Sequence, residues 1–222
     1  MIPDLSQVET ATLGHFLRGG FMAPSIQGLL PDRRIWGPAL TVRLPGSDGA
    51  ALIEALSVAE PGEVIVIDRC GDLRHACFGA VTATAAHARG VAGVVIDGFV
   101  TDRRALEELG LPVWCRGRSP ITTRNQHLAG EVGGIITCGG AAVSRGDIVL
   151  ADENGVAVLD PAKAADHAAT ALRMQESEID ILRRLRAGET LKEIIAPDET
   201  SPSGARRRMI NLTFRQQRGT TS

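Results

Sequence analysis

The chain has 222 residues, a formal net charge of −2 at pH 7 and 44% hydrophobic residues. This length favours a single domain, and the near-neutral charge argues against nucleic acid or an anionic membrane surface as a partner. Only 3% of the residues are aromatic, while Gly and Pro number 25 and 11. We therefore expect an aliphatic core with many tight turns, which is typical of an α/β protein.

The four cysteines lie far apart, without the Cys-x-x-Cys spacing of a zinc knuckle. Residues 1–10 contain neither the basic nor the apolar segment of an export signal. No stretch approaches the roughly 20 continuous apolar residues of a membrane span. We therefore expect a cytoplasmic protein with reduced thiols and no membrane association.

The first half of the sequence alternates between helical and strand patterns. Helices are predicted at 5–18, 50–59, 79–89 and 105–109, and strands at 36–44, 64–68, 91–97 and 111–114. The strands at 64–68 and 91–97 are continuous apolar runs, which fit strands that are buried on both faces. This order of elements predicts a parallel sheet with right-handed crossovers.

The second half of the sequence has a different pattern of secondary structure. Short strands punctuated by Gly are predicted at 134–137, 142–143, 147–152 and 155–159, with a hairpin turn at 152–155. We expect this β section to be antiparallel or barrel-like and to pack on the α/β half. A long helix is predicted at 161–186, with Pro at its first position. We expect one domain over residues 1–196, and a flexible tail or intersubunit arm at 197–222.

The stretch from Gly79 to Asp102 carries the candidate site. The first turn of the helix at 79–82 offers unpaired N–H groups that can bind a carboxylate or phosphate. Asp102 follows the next strand, and the carboxyl ends of parallel strands meet at one edge of a sheet. A carboxylate there suits a hard divalent cation. Asp102 also precedes a helix, where Asp is an ordinary N-cap, so the spacing alone leaves both interpretations open.

Five segments of the sequence resemble the RraA-like family. They are GPAxTV at 37–42, PGEVxVxD at 61–68, AAxARGVAGVVIDG at 85–98, LPVWxRG at 111–117 and GDxVxADxxGVxV at 146–158. The family includes the regulator of ribonuclease activity and the 4-hydroxy-4-methyl-2-oxoglutarate aldolases, and many members are labelled demethylmenaquinone methyltransferases. The resemblance extends over roughly residues 5–195.

The resemblance implies a swivelling β/β/α fold, assembled as a homotrimer or a hexamer with sites between subunits. It assigns a divalent metal, Mg or Mn, to Asp102 and substrate-binding backbone amides to Gly79, Ala80, Val81 and Thr82. In the family's aldolases a Glu of the adjacent subunit positions a water, which implies Glu178 or, as the alternative, Glu176. The implied function is a carbon–carbon lyase, aldolase-like or decarboxylase-like, that acts on a 2-oxo acid through a metal-stabilised enolate.

Three positions depart from the family pattern. Thr101 stands where the aldolases have the Arg that binds the substrate carboxylate, so a bidentate contact is lost. Ala80 and Ala105 replace acidic residues. We still expect Thr101 to face the substrate. Its small side chain leaves room for a bulkier group, which suggests a lyase of shifted specificity.

Arg103 is the candidate that could supply the missing carboxylate contact. Arg104, Arg74 and His75 are further candidates, although paired arginines early in a helix are often a solvated face. The alternative function is a non-catalytic regulator or binding protein of the RraA type, such as a ribonuclease E inhibitor.

Overall fold

The computed structural model describes residues 3–127 and 129–195. The chain divides into two compact units, and the boundary falls in the long C-terminal helix, between Met174 and Gln175. The predicted tail at 197–222 lies outside the described residues, so the domain boundary at residue 196 stays a prediction. In the described part of the chain, no helix has the length and apolar character that crossing a membrane requires.

The helices and strands have the following bounds. The helices are α1 (Thr10–Gly14), α2 (Ala50–Val58), α3 (Ala80–Ala88), α4 (Arg103–Leu109), α5 (Ala164–Arg186) and α6 (Leu191–Ile195). The strands are β1 (Gln27–Gly28), β2 (Ile35–Arg43), β3 (Val64–Asp68), β4 (Ala76–Phe78), β5 (Gly93–Ile96), β6 (Phe99–Val100), β7 (Val113–Cys115), β8 (Gly117–Arg118), β9 (Glu131–Val132), β10 (Ile136–Cys138), β11 (Ala141–Val143), β12 (Ile148–Asp152) and β13 (Gly155–Leu159).

The main sheet has the order β1-β7-β5-β3-β2-β12-β13, with β9 paired to β2. The strands β2, β3, β5 and β7 are mutually parallel, as the sequence predicts. The strands β12 and β13 form the predicted antiparallel hairpin, in which Asp152 faces Gly155. The α/β class and the long C-terminal helix are therefore confirmed.

The two faces of the main sheet bury different layers, because successive side chains of a strand point to opposite sides. Ile65 and Ile67 of β3 belong to the core that includes apolar residues of α2, α3 and α4. Val64 and Val66 belong to a second core, shared with β10 and β11. The Gly-rich β section thus packs on the α/β half, as expected.

A second, smaller sheet consists of β4, β6 and β8, which are parallel to one another. These strands were not predicted from the sequence, because each has only two or three residues, too few for a periodic pattern. Some predicted helix limits were also wrong. The helix predicted at 5–18 is limited to Thr10–Gly14, and α5 begins at Ala164 because residues 161–163 form a turn.

A buried arginine joins the loops at the carboxyl ends of three parallel strands. Arg69, which follows β3, is 0% exposed and donates hydrogen bonds to the carbonyl oxygens of Leu44 (2.6 Å) and Gly46 (2.5 Å), which follow β2. It also contacts the carboxylate of Asp72 at 2.9 Å. Gly98, which follows β5, leaves room for Arg69, since a Cβ there would lie 2.5 Å from the Arg69 Cγ.

The N-terminal segment is attached to the hairpin through a buried carboxylate. Asp152, which is 0% exposed, accepts hydrogen bonds from Thr10 N (2.8 Å), Thr10 Oγ1 (2.5 Å) and Asn154 N (2.9 Å). The indole N–H of Trp114 donates to the Asp152 carbonyl oxygen at 2.9 Å. This residue of a hairpin turn therefore also connects α1 and β7 to the hairpin.

We predict that Asp152→Asn lowers the free energy of unfolding by about 2–3 kcal/mol, because the amide cannot accept all three of these hydrogen bonds. The matched control is Asp160→Asn. Asp160 is an exposed turn residue that accepts a bond from Ala162 N, and Asn serves that role as well as Asp does. Its exposed ion pair with Lys163, at 3.8 Å, contributes little to stability. Urea denaturation followed by circular dichroism measures the free energy of unfolding of both variants. An equal loss of stability in the two would contradict the role of Asp152 as the acceptor of these three hydrogen bonds.

Candidate functional site

The small sheet positions the candidate site. In its register Phe78 faces Val100, and Val100 faces Arg118. Because the three strands are parallel, the residues that follow them leave at the same edge. Gly79 follows β4, and Thr101 and Asp102 follow β6. The Thr101 N–H donates to the Phe78 carbonyl oxygen at 2.9 Å, which holds the two strand ends together.

Asp102 directs its carboxylate to a helix other than its own. Its Oδ2 accepts a hydrogen bond from Ala80 N, at the start of α3, at 2.9 Å. It makes no side-chain capping bond to α4, which it precedes. Its backbone has φ 51° and ψ 41°, a left-handed conformation that Asp tolerates better than most residues. Asp102 therefore occupies the N-cap position of α4, but its side chain does not cap that helix.

Gly79 is required by the close approach of these groups. A Cβ at this position would lie 2.5 Å from Asp102 Oδ2 and 2.6 Å from Thr101 Cγ2. The Thr82 hydroxyl accepts a hydrogen bond from Gly79 N at 2.9 Å. The start of α3 is thereby fixed against the end of β6.

The backbone N–H groups at the start of α3 differ in whether they are already hydrogen-bonded within the chain. The N–H groups of Gly79 and Ala80 bond to Thr82 Oγ1 and Asp102 Oδ2, so these two predicted substrate donors are already used within the chain. The N–H groups of Val81 and Thr82 have no hydrogen-bond partner among the described residues. The Val81 side chain is 84% exposed, so this turn of the helix is open to a ligand.

The basic residues predicted to contact the substrate are paired with other side chains or lie away from Asp102. Arg103 and Arg104 pair with Glu107 and Glu108, four residues further along α4, through Nε–Oε1 distances of 2.5 and 2.8 Å. Arg104 is a solvated residue, with its side chain 92% exposed, whereas Arg103 also lines a cleft beside α4.

His75 and Arg74 precede β4, so they lie at the end of the strand opposite to Gly79. The Nδ1 atom of His75 is 2.8 Å from Asp72 Oδ2, and the Arg74 side chain is exposed. The structure therefore places neither residue beside Asp102.

In the described part of the chain, no three His, Cys, Asp or Glu side chains come together as a metal-binding group. Asp102 is exposed, and its Oδ1 atom has a single hydrogen-bonding contact, 3.5 Å from the Thr101 hydroxyl. A single carboxylate suits Mg²⁺, which keeps several water ligands and takes one or two carboxylates from a protein. It does not suit a structural zinc ion, which needs four protein ligands.

Glu176 and Glu178 are both exposed residues of α5 in the second compact unit. Ala105 is half-buried in α4 and brings no charge to the site. The assignment of Glu178 or Glu176 to a neighbouring subunit's site stays a prediction.

The buried cysteines are not nucleophiles. Cys138 is 0% exposed, and burial raises the pKa of its thiol. Burial also raises the pKa of the Cys77 thiol to about 11. Since the thiolate is the reactive form, both thiols are unreactive near neutral pH.

The contacts of Asp97, the last residue of the strand predicted at 91–97, were not predicted from the sequence. The Asp97 carboxylate pairs with Arg116, and its Oδ2 accepts a hydrogen bond from Gly139 N at 2.8 Å. Asp97 and Asp102 both follow strands, so local sequence does not distinguish them. The motif LPVWxRG contains Arg116, but its contact with Asp97 depends on the pairing of β5 with β7.

Comparison with known proteins decides the family. A family model described as RraA-like (Aldolase/RraA) matches residues 6–158, which is more than half of the chain. This chain belongs to the RraA-like family. Its α/β architecture, with the Gly-rich β section and long C-terminal helix, is therefore the RraA-like fold.

Among sequence relatives, a protein of Halalkalibacterium halodurans is 35% identical over 138 residues, which are 62% of this chain and 65% of the relative. Its name marks it as a candidate 4-hydroxy-4-methyl-2-oxoglutarate aldolase. The match thus spans slightly less than two thirds of that relative's length. An uncharacterised protein of Methanocaldococcus jannaschii is 30% identical over 179 residues, covering 78% of this chain and 85% of the relative.

Among solved structures, Streptomyces coelicolor RraAS2 matches with a TM-score of 0.71 and 26% identity, covering 82% of this chain and 98% of that protein. It is described as an unusual member of the RNase ES inhibitor RraA family. The expectation that nucleic acid is not a partner rests on the net charge alone, and a relative named for inhibiting a ribonuclease runs against it.

We predict that Gly79→Ala lowers the free energy of unfolding by about 1–3 kcal/mol, because the new methyl group displaces Asp102 and Thr101. Gly14→Ala is the matched control, since a Cβ at Gly14 meets no atom within 4 Å. Thermal and urea denaturation measure both variants. Stability unchanged in Gly79→Ala would show that Asp102 does not approach this helix start.

Proposed function

We propose that this chain is a divalent-metal-dependent carbon–carbon lyase that acts on a 2-oxo acid. The observation that carries the proposal is the Asp102 carboxylate, which is oriented by the Ala80 N–H at the start of α3 and is exposed to a ligand. The aldolase name of the Halalkalibacterium halodurans relative supports the same reaction class. The reaction would be an aldol cleavage, as of 4-hydroxy-4-methyl-2-oxoglutarate, or the decarboxylation of oxaloacetate.

Asp102 would hold the cation, Mg²⁺ or Mn²⁺, with water and substrate oxygens as the other ligands. When bound, the cation supplies Lewis-acid polarisation of the 2-oxo group and so favours breaking the neighbouring carbon–carbon bond. Ala80 would keep the carboxylate in position through its N–H, whose hydrogen bond leaves the second oxygen of Asp102 available.

The chain's other groups would bind and orient the substrate. The N–H groups of Val81 and Thr82 would donate to a substrate carboxylate, assisted by the partial positive charge of the helix start. Thr101, beside them, would offer a hydroxyl where the aldolases have a guanidinium. Glu178 or Glu176 of a second copy, in a homotrimer or hexamer, would hold the water that returns a proton to the product.

A non-catalytic regulator is the second candidate, favoured by the small uncharged side chains Thr101, Ala80 and Ala105 around Asp102. The name of the Streptomyces coelicolor relative, from the RNase ES inhibitor family, points in the same direction. Inhibition of purified ribonuclease E by the full chain, without turnover of oxaloacetate, would favour this candidate over the lyase.

We predict that Asp102→Asn reduces Mg²⁺-dependent pyruvate release from oxaloacetate at least about tenfold, because the amide keeps the hydrogen bond to Ala80 but removes the anionic ligand. The control variant is Asp160→Asn, which removes the same charge from an exposed turn. Pyruvate is measured with a coupled dehydrogenase, and Mn²⁺ binding by electron paramagnetic resonance. Equal rates and equal Mn²⁺ binding in wild type and Asp102→Asn would rule out a metal lyase at this site.

We predict that Thr101→Arg raises the rate of oxaloacetate decarboxylation. A guanidinium contact to the substrate carboxylate contributes about 2–4 kcal/mol, equivalent to a roughly thirty- to thousand-fold change. The comparison is Arg104→Gln, which changes the charge of α4 by one unit at a solvated position. Kinetics at saturating Mg²⁺ provide the measurement, and no gain in kcat/KM would show that the pocket differs from an aldolase site by more than this side chain.

A further inference from the structure

A cleft lies between β1 and the segment that follows β7, and it is lined by Arg103, the residue after Asp102, and by Arg118, which pairs with Val100. Its volume is about 420 Å³, within the range typical of small-molecule sites. Most of its side chains are polar or charged. The residues that line it include Ser25, Gln27, Arg103, Cys115, Arg116 and Arg118.

Arg116 is held in a fixed position in this cleft. Its Nε donates to the Asp97 carboxylate, which is itself fixed by the hydrogen bond from Gly139 N. Its Nη1 donates to Ser25 Oγ at 2.5 Å. The Nη2 group has no hydrogen-bond partner among the described residues, so the guanidinium keeps donors free for a ligand. A fixed side chain loses little entropy when it binds an anion.

Arg118 supplies a positive charge that is not neutralised locally. Among the residues that the structure describes, no carboxylate or hydrogen-bond acceptor contacts its side chain, which is exposed. The other two arginines of the cleft are paired, Arg116 with Asp97 and Arg103 with Glu107. Arg118 therefore gives the cleft its excess of positive charge.

The remaining lining residues favour binding over covalent chemistry. The Cys115 thiol is buried and donates to the Gly117 carbonyl oxygen at 3.5 Å, and burial raises its pKa. It therefore stays protonated and unreactive near neutral pH. The Ser25 hydroxyl accepts from Arg116 and keeps its own hydrogen for a ligand, and Gln27 offers an amide.

We propose that this cleft binds the carboxylate or phosphate group of a small anionic molecule, with Arg116 and Arg118 as its donors. A guanidinium presents parallel N–H groups that match the oxygens of either group. The proposal is separate from the lyase reaction, because binding here requires neither a metal nor turnover.

The test is isothermal titration calorimetry of the full chain with inorganic phosphate and, in a second arm, succinate, at low ionic strength and without divalent metal. We expect saturable binding of at least one of these anions. Arg118→Gln should weaken it at least about tenfold, as loss of a charged hydrogen bond does. Arg104→Gln, which removes one charge from α4 outside the cleft, should leave it unchanged. Binding of phosphate alone, of succinate alone or of both supports the proposal and identifies the ligand chemistry.

Three outcomes would overturn the proposal. The first is the absence of saturable binding by the wild-type chain in both arms. The second is unchanged binding in Arg118→Gln, which would locate the anion elsewhere, for example at the basic sequence 206–208. The third is equal weakening in Arg118→Gln and Arg104→Gln, which would reveal a general charge effect. Arg118 pairs with Val100 through its backbone, and its exposed side chain has no hydrogen bond or ion pair among the described residues, so its variant remains informative even if Arg116→Gln does not fold.

Discussion

The hydrogen bond between the Ala80 N–H and the Asp102 carboxylate joins two segments that are 22 residues apart in the sequence. It places the negative charge of Asp102 at the positive end of α3, which stabilises the helix. The same hydrogen bond orients the carboxylate. The same contact creates an electrostatic conflict for an anionic substrate, because Asp102 repels a second carboxylate that approaches the free amides of Val81 and Thr82. A divalent cation at Asp102 reverses the sign of this local field. Substrate binding in the proposed lyase would therefore depend on prior binding of the cation.

Proteins of this family share one fold but are named for different functions. The relatives include a candidate aldolase and a member of a ribonuclease inhibitor family, while the matched fold is shared. Fold alone therefore does not assign the activity of this chain. The assignment depends on the side chains near Gly79, where Asp102 is the charged group and Thr101, Ala80 and Ala105 are uncharged.

Most of the main sheet was predictable from the sequence because its strands are apolar runs, but β1 and β9, which have two residues each, were not predicted. β3 was predicted with its observed bounds, and the hairpin followed from the turn at 152–155. The small sheet was not predictable, since β6 and β8 have two residues each and form by strand pairing, β6 with β4 and β8 with β6. The elements that form the candidate site were predictable, but the contacts between them were not. The helix start and the position of Asp102 could be read from the sequence. The partner of its carboxylate depends on strand pairing over a long range, as do the contacts of Asp97 and Arg116.

Arg69 has a consequence for the motions of the main sheet. Its guanidinium bonds to the carbonyl oxygens of Leu44 and Gly46 and to Asp72, while its stem packs under Gly98. Opening the loop at Leu44 and Gly46 would remove two hydrogen bonds of this buried cation, and opening the loop at Asp72 would remove its carboxylate partner, at a cost of several kcal/mol. The loops are therefore coupled and would exchange their amide hydrogens as one cooperative unit. Since the segment after Gly98 leads to Thr101 and Asp102, this unit provides a rigid support on the carboxyl side of the sheet from which the candidate site extends.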